Sequence, residues 1–125
     1  MKKLLIITAI LAGALAFTSC SSNTPKGVAK KAIAALQKGD YKTYASTFDL
    51  SESDQEWLAG VAEEKVDQRL KAKGGIKSYE ITDVKMNGKD KAVVTVHVSY
   101  QNRDEIDEHM SYVKKDGKWK QKMNK

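Results

Sequence analysis

The glycine pair Gly74-Gly75 marks the point where the hydrophobic period of the chain changes. Before it, apolar residues recur every three or four positions, as on one face of a helix. After it they alternate, as on one face of a strand. Helices must therefore come first and strands second. Each part has one apolar face to bury, and the economical arrangement is α+β, with the helices packed on one face of an antiparallel sheet. With 125 residues, 41% hydrophobic and 30% charged, the chain has the length and composition of one globular domain.

Thr24-Pro25 reads as a helix start, with a hydroxyl N-cap followed by proline at the first helical position. Val28, Ala29, Ala32, Ile33 and Leu36 then keep helical spacing, Lys26, Lys30, Lys31 and Lys38 cover the other face, and Gly39 ends the helix. Asp40 caps a shorter helix in which Tyr41, Tyr44, Ala45 and Phe48 share a side. A third helix starts within Leu50–Glu56, where cap signals overlap and Ser53 pairs with Glu56 as a capping box. It runs to about Lys73 with a drifting stripe of Trp57, Leu58, Val61, Val66 and Leu70. Its acidic start and basic end complement the helix dipole.

Residues 76–86 read as a strand in which Tyr79 and Ile81 differ in parity from Val84 and Met86, which places a bulge near Thr82-Asp83. Asn87-Gly88 makes a turn. Ala92, Val94, Val96, Val98 and Tyr100 form the clearest alternation in the chain. To keep Ile106, Met110 and Tyr112 on that face, the next loop must be odd. Centred on Arg103, it pairs Tyr100 with Ile106 and Val96 with Met110, and sets His97 opposite His109. Asp116-Gly117 turns the chain into a last strand at Trp119–Met123. The expectation is three helices on a curved four-stranded antiparallel meander.

Residues 1–19 have the features of an export signal: Lys2-Lys3, an apolar run from Leu4 to Phe17, then small residues. The run is roughly 14 residues, short of the ~20 that span a bilayer. Phe17-Thr18-Ser19-Cys20 resembles a bacterial lipobox, with cleavage between Ser19 and Cys20 and lipid attachment at Cys20, the sole cysteine. Phe17 departs from the usual leucine, whereas Thr18 and Ser19 fit. Two or three acyl chains would anchor the protein stably. Residues 20–24 are then a lipidated tether with a reach of about 14 Å, and residues 25–125 a single domain close to the headgroups. Ser21 after the cysteine, rather than Asp, resembles the signal for the outer membrane of Gram-negative bacteria, which implies its periplasmic face.

The order of motifs carries a wider resemblance. After the lipobox come Thr24-Pro25-Lys26-Gly27-Val28, Leu36-Gln37-Lys38-Gly39-Asp40-Tyr41, Gly74-Gly75-Ile76-Lys77-Ser78-Tyr79 and Lys115-Asp116-Gly117-Lys118-Trp119-Lys120. Together they resemble small Bacteroidota lipoproteins of unknown function (DUF4878-like), in the cystatin-like and nuclear transport factor 2-like superfamily. The resemblance spans nearly all of residues 17–123. It implies a cone of helices against a bent antiparallel sheet, often with a pocket between them, and no agreed activity.

Among candidate sites, Glu108 comes first, because its parity sets it between Ile106 and Met110 on the core face. A carboxylate in an apolar pocket could act as a general base, as in the ketosteroid isomerase-like members of that superfamily. Its acidic neighbours Asp104, Glu105 and Asp107 suggest instead a solvated rim. His97 and His109 read as exposed residues of the outer face, since two histidines fall short of the three or four ligands zinc needs. The sequence implies no metal and no cofactor. Lys114, Lys115, Lys118, Lys120, Lys122 and Lys125 either protect a sheet edge from aggregation or touch an anionic surface. The formal charge of +6 is mixed along the chain and includes Lys2 and Lys3, so it makes no nucleic-acid footprint. The expected function is a non-enzymatic, membrane-anchored envelope lipoprotein. Its partners are the bilayer through acylated Cys20 and a small apolar ligand or an envelope protein. The alternatives are a pocket isomerase or dehydratase using Glu108, and a structural envelope component with no small ligand.

Overall fold

A computed structural model describes residues 23–123. The export signal, the bond between Ser19 and Cys20, the lipid-attachment cysteine and the first residues of the tether lie outside the described residues. Helix α1 spans Pro25–Lys38 and begins as its sequence implies: the Thr24 side chain accepts a hydrogen bond from the Gly27 amide at 2.9 Å. Gly39 closes it in the left-handed conformation. Helix α2 (Tyr41–Ser46) is capped by Asp40, whose carboxylate accepts from the Thr43 amide at 3.1 Å.

The third helical rod comprises α3 (Glu52–Val61), a π turn (Ala62–Val66) and α4 (Asp67–Ala72). Two expectations are corrected here. Ser51 caps the rod in place of Ser53, accepting from the Asp54 amide at 3.2 Å. Trp57 is 60% exposed and takes no part in the apolar stripe, whose buried members are Leu58 and Ala62. The π turn explains the drift: one extra residue in that turn lets Val61 and Val66, five apart, both stay half-buried. The rod ends in paired hydrogen bonds, from the Gly75 amide to Leu70 O at 2.8 Å and from the Gly74 amide to Lys71 O at 3.0 Å. Gly74 is doubly required, since its φ is +81° and a Cβ there would lie 2.9 Å from the Gln101 Cβ.

The sheet is a meander in the order β1-β2-β3-β4, with β1 Ile76–Met86, β2 Lys91–Tyr100, β3 Glu105–Lys115 and β4 Lys118–Gln121. Strand β1 carries the expected irregularity between Ile81 and Asp83, and a second one between Ile76 and Ser78. The first lets Tyr79 and Ile81 pair with Val98 and Val96 while Val84 pairs with Val94, so both sets face inward. The β1–β2 connection is a three-residue loop, 88–90, closed by the Asn87 amide donating to Lys91 O at 2.8 Å, rather than a two-residue turn.

The β2–β3 register is corrected by two residues. Val98 pairs with Ile106, Val96 with Glu108 and Val94 with Met110. The loop is odd, as parity demands, but centres on Asn102, with Arg103 in the left-handed conformation at φ 77°. A three-residue hairpin loop commonly places such a residue at its third position. Asp116 (φ 51°) and Gly117 (φ 76°) form the expected tight turn. The free edge of β4 is partly covered by the segment after α2, through Gln121 N to Thr47 O at 2.7 Å and Asp49 N to Gln121 O at 2.8 Å.

One core lies between α1 and the sheet, where Val28, Ala29, Ala32 and Ile33 meet Val94, Val96, Val98, Tyr112 and Trp119. A second, smaller cluster joins Ala45, Phe48 and Leu58, linking the third rod to α2. Among the described residues, no helix is long and apolar enough to cross a membrane.

Candidate functional site

Helix α1 lies on the sheet through small residues, Ala29 and Ala32, and is sealed against it. The third rod packs on α2 instead and stands off the sheet. A cleft of about 230 Å³ remains between them. Its apolar walls are Ile33 and Leu36 of α1, Val66 and Leu70 of the third rod, and Val98 and Met110 of the sheet. Polar groups enter at two levels. Arg69 and Glu108, both exposed, flank the opening, and Tyr44, Ile76, Tyr100, His109 and Gln121 complete the lining.

Electrostatics tie these groups to one opening. Burial raises the Tyr44 hydroxyl above its ordinary pKa, the Glu108 carboxylate raises it further, and the Arg69 guanidinium partly offsets this. Tyr100 is raised in the same way by burial and Glu108, with Lys73 and Arg69 opposing. The Lys73 ammonium also lies 5.4 Å from the centroid of the Tyr100 ring. Among the described residues neither Arg69 nor Glu108 takes part in an ion pair.

Deeper in, Tyr112 and Gln121 pair across β3 and β4. The Tyr112 hydroxyl and the Gln121 Oε1 are both buried without a hydrogen-bond partner. Such orphans are uncommon in folded proteins, and each asks for a donor or acceptor from elsewhere. Burial drives the Tyr112 hydroxyl far above the normal phenol range, with the nearby Tyr44 adding to the effect. Tyr44 itself holds Phe48 edge-on, with ring centroids 5.2 Å apart.

Glu108 is therefore on the inward face, as its parity implies, but exposed at the mouth rather than enclosed by apolar side chains. The histidines are not opposite each other. His97 lies across from Asp107, and His109 across from Thr95, whose hydroxyl is 3.1 Å from its Nδ1. Both ring nitrogens of His97 meet carboxylates, Nδ1 at Asp107 and Nε2 at Glu105, each at 2.7 Å. Two acceptors require two donors, so this geometry fits an imidazolium. The Asp107 and Glu105 contacts, in that order, raise the His97 pKa. Among the described residues no group of three or more His, Cys, Asp or Glu is placed to hold a metal ion.

Sequence reasoning missed Arg69, Tyr44 and Gln121 as lining residues. Arg69 reads as a charge complementing the helix dipole and Tyr44 as core. Gln121 had a usable signal, because it shares the inward parity of Trp119.

The profile of the family described as "Domain of unknown function (DUF4878)" matches residues 18–122. Among solved structures, the chain is similar to a protein of Campylobacter jejuni described as an NTF2-like transpeptidase, with 27% identity and a TM-score of 0.66. The match covers 81% of this chain and 99% of that one. No curated protein matches the chain. The chain belongs to the DUF4878 family of domains of unknown function, within the NTF2-like superfamily.

Proposed function

We propose that this is an exported protein, held at the periplasmic face of an outer membrane through an acylated Cys20, whose domain takes up a small, largely apolar molecule in the cleft. The observation that carries the reading is Gln121, which lines the cleft and whose buried Oε1 has no hydrogen-bond partner. A buried acceptor without a donor costs on the order of 1–3 kcal/mol, which a ligand hydroxyl or amine would recover. At about 230 Å³ the cleft is smaller than the ~300 Å³ at which drug-sized pockets begin, so it suits a slender molecule with one end toward Arg69 and Glu108.

Titration with octanol, an apolar chain bearing one hydroxyl, tests this. Wild-type protein is expected to bind, and Gln121→Leu to bind about two- to tenfold more weakly, the span of one hydrogen bond. No binding by the wild type, or equal binding by both, removes the reading. The anchor has its own test: Cys20→Ser should leave the membrane fraction, and a variant that stays there overturns that part.

A second reading is a pocket enzyme of the isomerase or dehydratase kind, supported by Glu108 sharing one opening with Tyr44, Tyr100 and Arg69. Unchanged ligand uptake and turnover in Glu108→Gln would drop it.

A further inference from the structure

The two ends of the sheet differ in charge, and the chain leaves the domain at the positive one. Asn23, three residues after Cys20, is pinned to the β3–β4 turn: its Nδ2 donates to Gly117 O at 2.9 Å, and its Oδ1 accepts from the Trp119 amide at 3.3 Å. The β1–β2 loop lies beside that turn, because the Lys114 amide donates to Asp90 O at 2.8 Å. Around this exit stand Lys26, Lys85, Lys89, Lys91, Lys114 and Lys118, all exposed. Among the described residues none of the six takes part in an ion pair, and they outnumber the Asp90 and Asp116 carboxylates of the same loops.

Val84 and Met86 sit at the same end. Their partners Val94 and Ala92 are buried, so both face inward, yet they are 37% and 49% exposed. At the opposite end, roughly 30 Å away along ten-residue strands, charge is balanced: Asp104 pairs with Lys73, and Glu105 and Asp107 with His97. The opening of the cleft is in that half, at Glu108 and Tyr100.

We propose that the positive end is a docking face for an anionic phospholipid bilayer. The six lysines meet the headgroups, and Met86 and Val84 enter the boundary between headgroup and acyl chain. Lysines within a Debye length of such a surface are each attracted to it, and apolar side chains beside them strengthen the contact. The opposite end has no such excess of cations, because Lys73 pairs with Asp104 and His97 with Glu105 and Asp107, so docking has one orientation, with the cleft open to the aqueous side. The orientation in the cell rests on the Cys20 anchor, whereas the affinity of the face for anionic lipid does not.

The experiment separates the two. Full-length lipidated protein is reconstituted into phosphatidylcholine vesicles with and without phosphatidylglycerol, and amide hydrogen exchange is measured. The expected result is slower exchange at residues 85–91 and 114–119 only with phosphatidylglycerol, reversed by high salt, and no change at residues 101–105. Exchange that ignores phosphatidylglycerol, or slows at residues 101–105 instead, overturns the proposal. In parallel, the Cys20→Ser chain is co-sedimented with the same vesicles. Each lysine removed from the face is expected to weaken partition about fivefold, so the triple change of Lys85, Lys89 and Lys118 to Glu abolishes it. Lys65→Glu, an exposed residue in the π turn, should leave partition unchanged, and an equal loss there would mean diffuse attraction and overturn the docking face. Failure of the anchor shows separately, as a native chain that partitions no better than Cys20→Ser.

Discussion

Two helical elements pack above the same face of the sheet, with opposite results. Helix α1 carries Ala29 and Ala32, both fully buried, where it meets β2, and its backbone comes close enough to seal that half of the interior. The third rod carries Val66, Arg69 and Leu70 on the side facing the sheet, rests on α2 through Leu58, and leaves a cleft. Small residues at a helix–sheet contact close it, and long ones on a helix supported from elsewhere hold it open. Both elements are amphipathic, so an apolar stripe says that a face is buried and leaves open how tightly.

The comparison is broken most severely by removing the largest side chain on the sealed side. Trp119→Ala should cost about 3–5 kcal/mol of unfolding free energy in a denaturant titration, because Trp119 is 8% exposed and packs in the α1 core. A loss under about 1 kcal/mol would mean that this side is not close-packed. Adding volume sharpens the contrast. Ala32→Leu should destabilise by about 1–3 kcal/mol through overpacking, while Val66→Leu, beside the cleft, should stay within roughly 0.5 kcal/mol. Equal costs would remove the distinction between the two helices.

Smaller in effect is the cap of α1. Thr24→Ala removes the acceptor for the Gly27 amide and should cost about 1 kcal/mol, read as a shift in melting temperature. Smallest is the outer face. The His97 pKa is raised in the fold by Asp107 and Glu105, so its contribution to stability is fully present below the ordinary value of about 6.5. It is lost as pH rises through the raised value. The stability difference between wild type and His97→Asn should therefore appear in mildly acidic buffer and fade above neutrality. A difference that grows with pH contradicts the clasp.

The sequence makes legible the elements that local chemistry specifies. Thr24-Pro25, Asp40 and Asp116-Gly117 act over three or four residues, and the alternation of Ala92–Tyr100 permits one reading. Register is different. Parity requires an odd β2–β3 loop, yet centring on Asn102 or on Arg103 keeps the same side chains inward. The choice is made by Arg103 adopting a left-handed conformation, and the residue itself does not announce it. That two-residue shift took His97 away from His109 and gave it two carboxylates. The π turn was visible only as drift between Val61 and Val66. The stand-off of the third rod had no local signature at all, because it depends on Leu58 of the rod packing against Ala45 of α2 and Phe48. Gln121 was within reach, since it continues the parity of Trp119, and it is the residue on which the cleft reading turns.

The central claim is that the gap beneath the third rod is a binding site. Amide and methyl chemical shifts recorded during an octanol titration test it most directly. The account predicts saturable shifts confined to Tyr44, Val66, Leu70, Tyr100, Met110 and Gln121. Shifts centred on Val84 and Met86, or none that saturate, would contradict it.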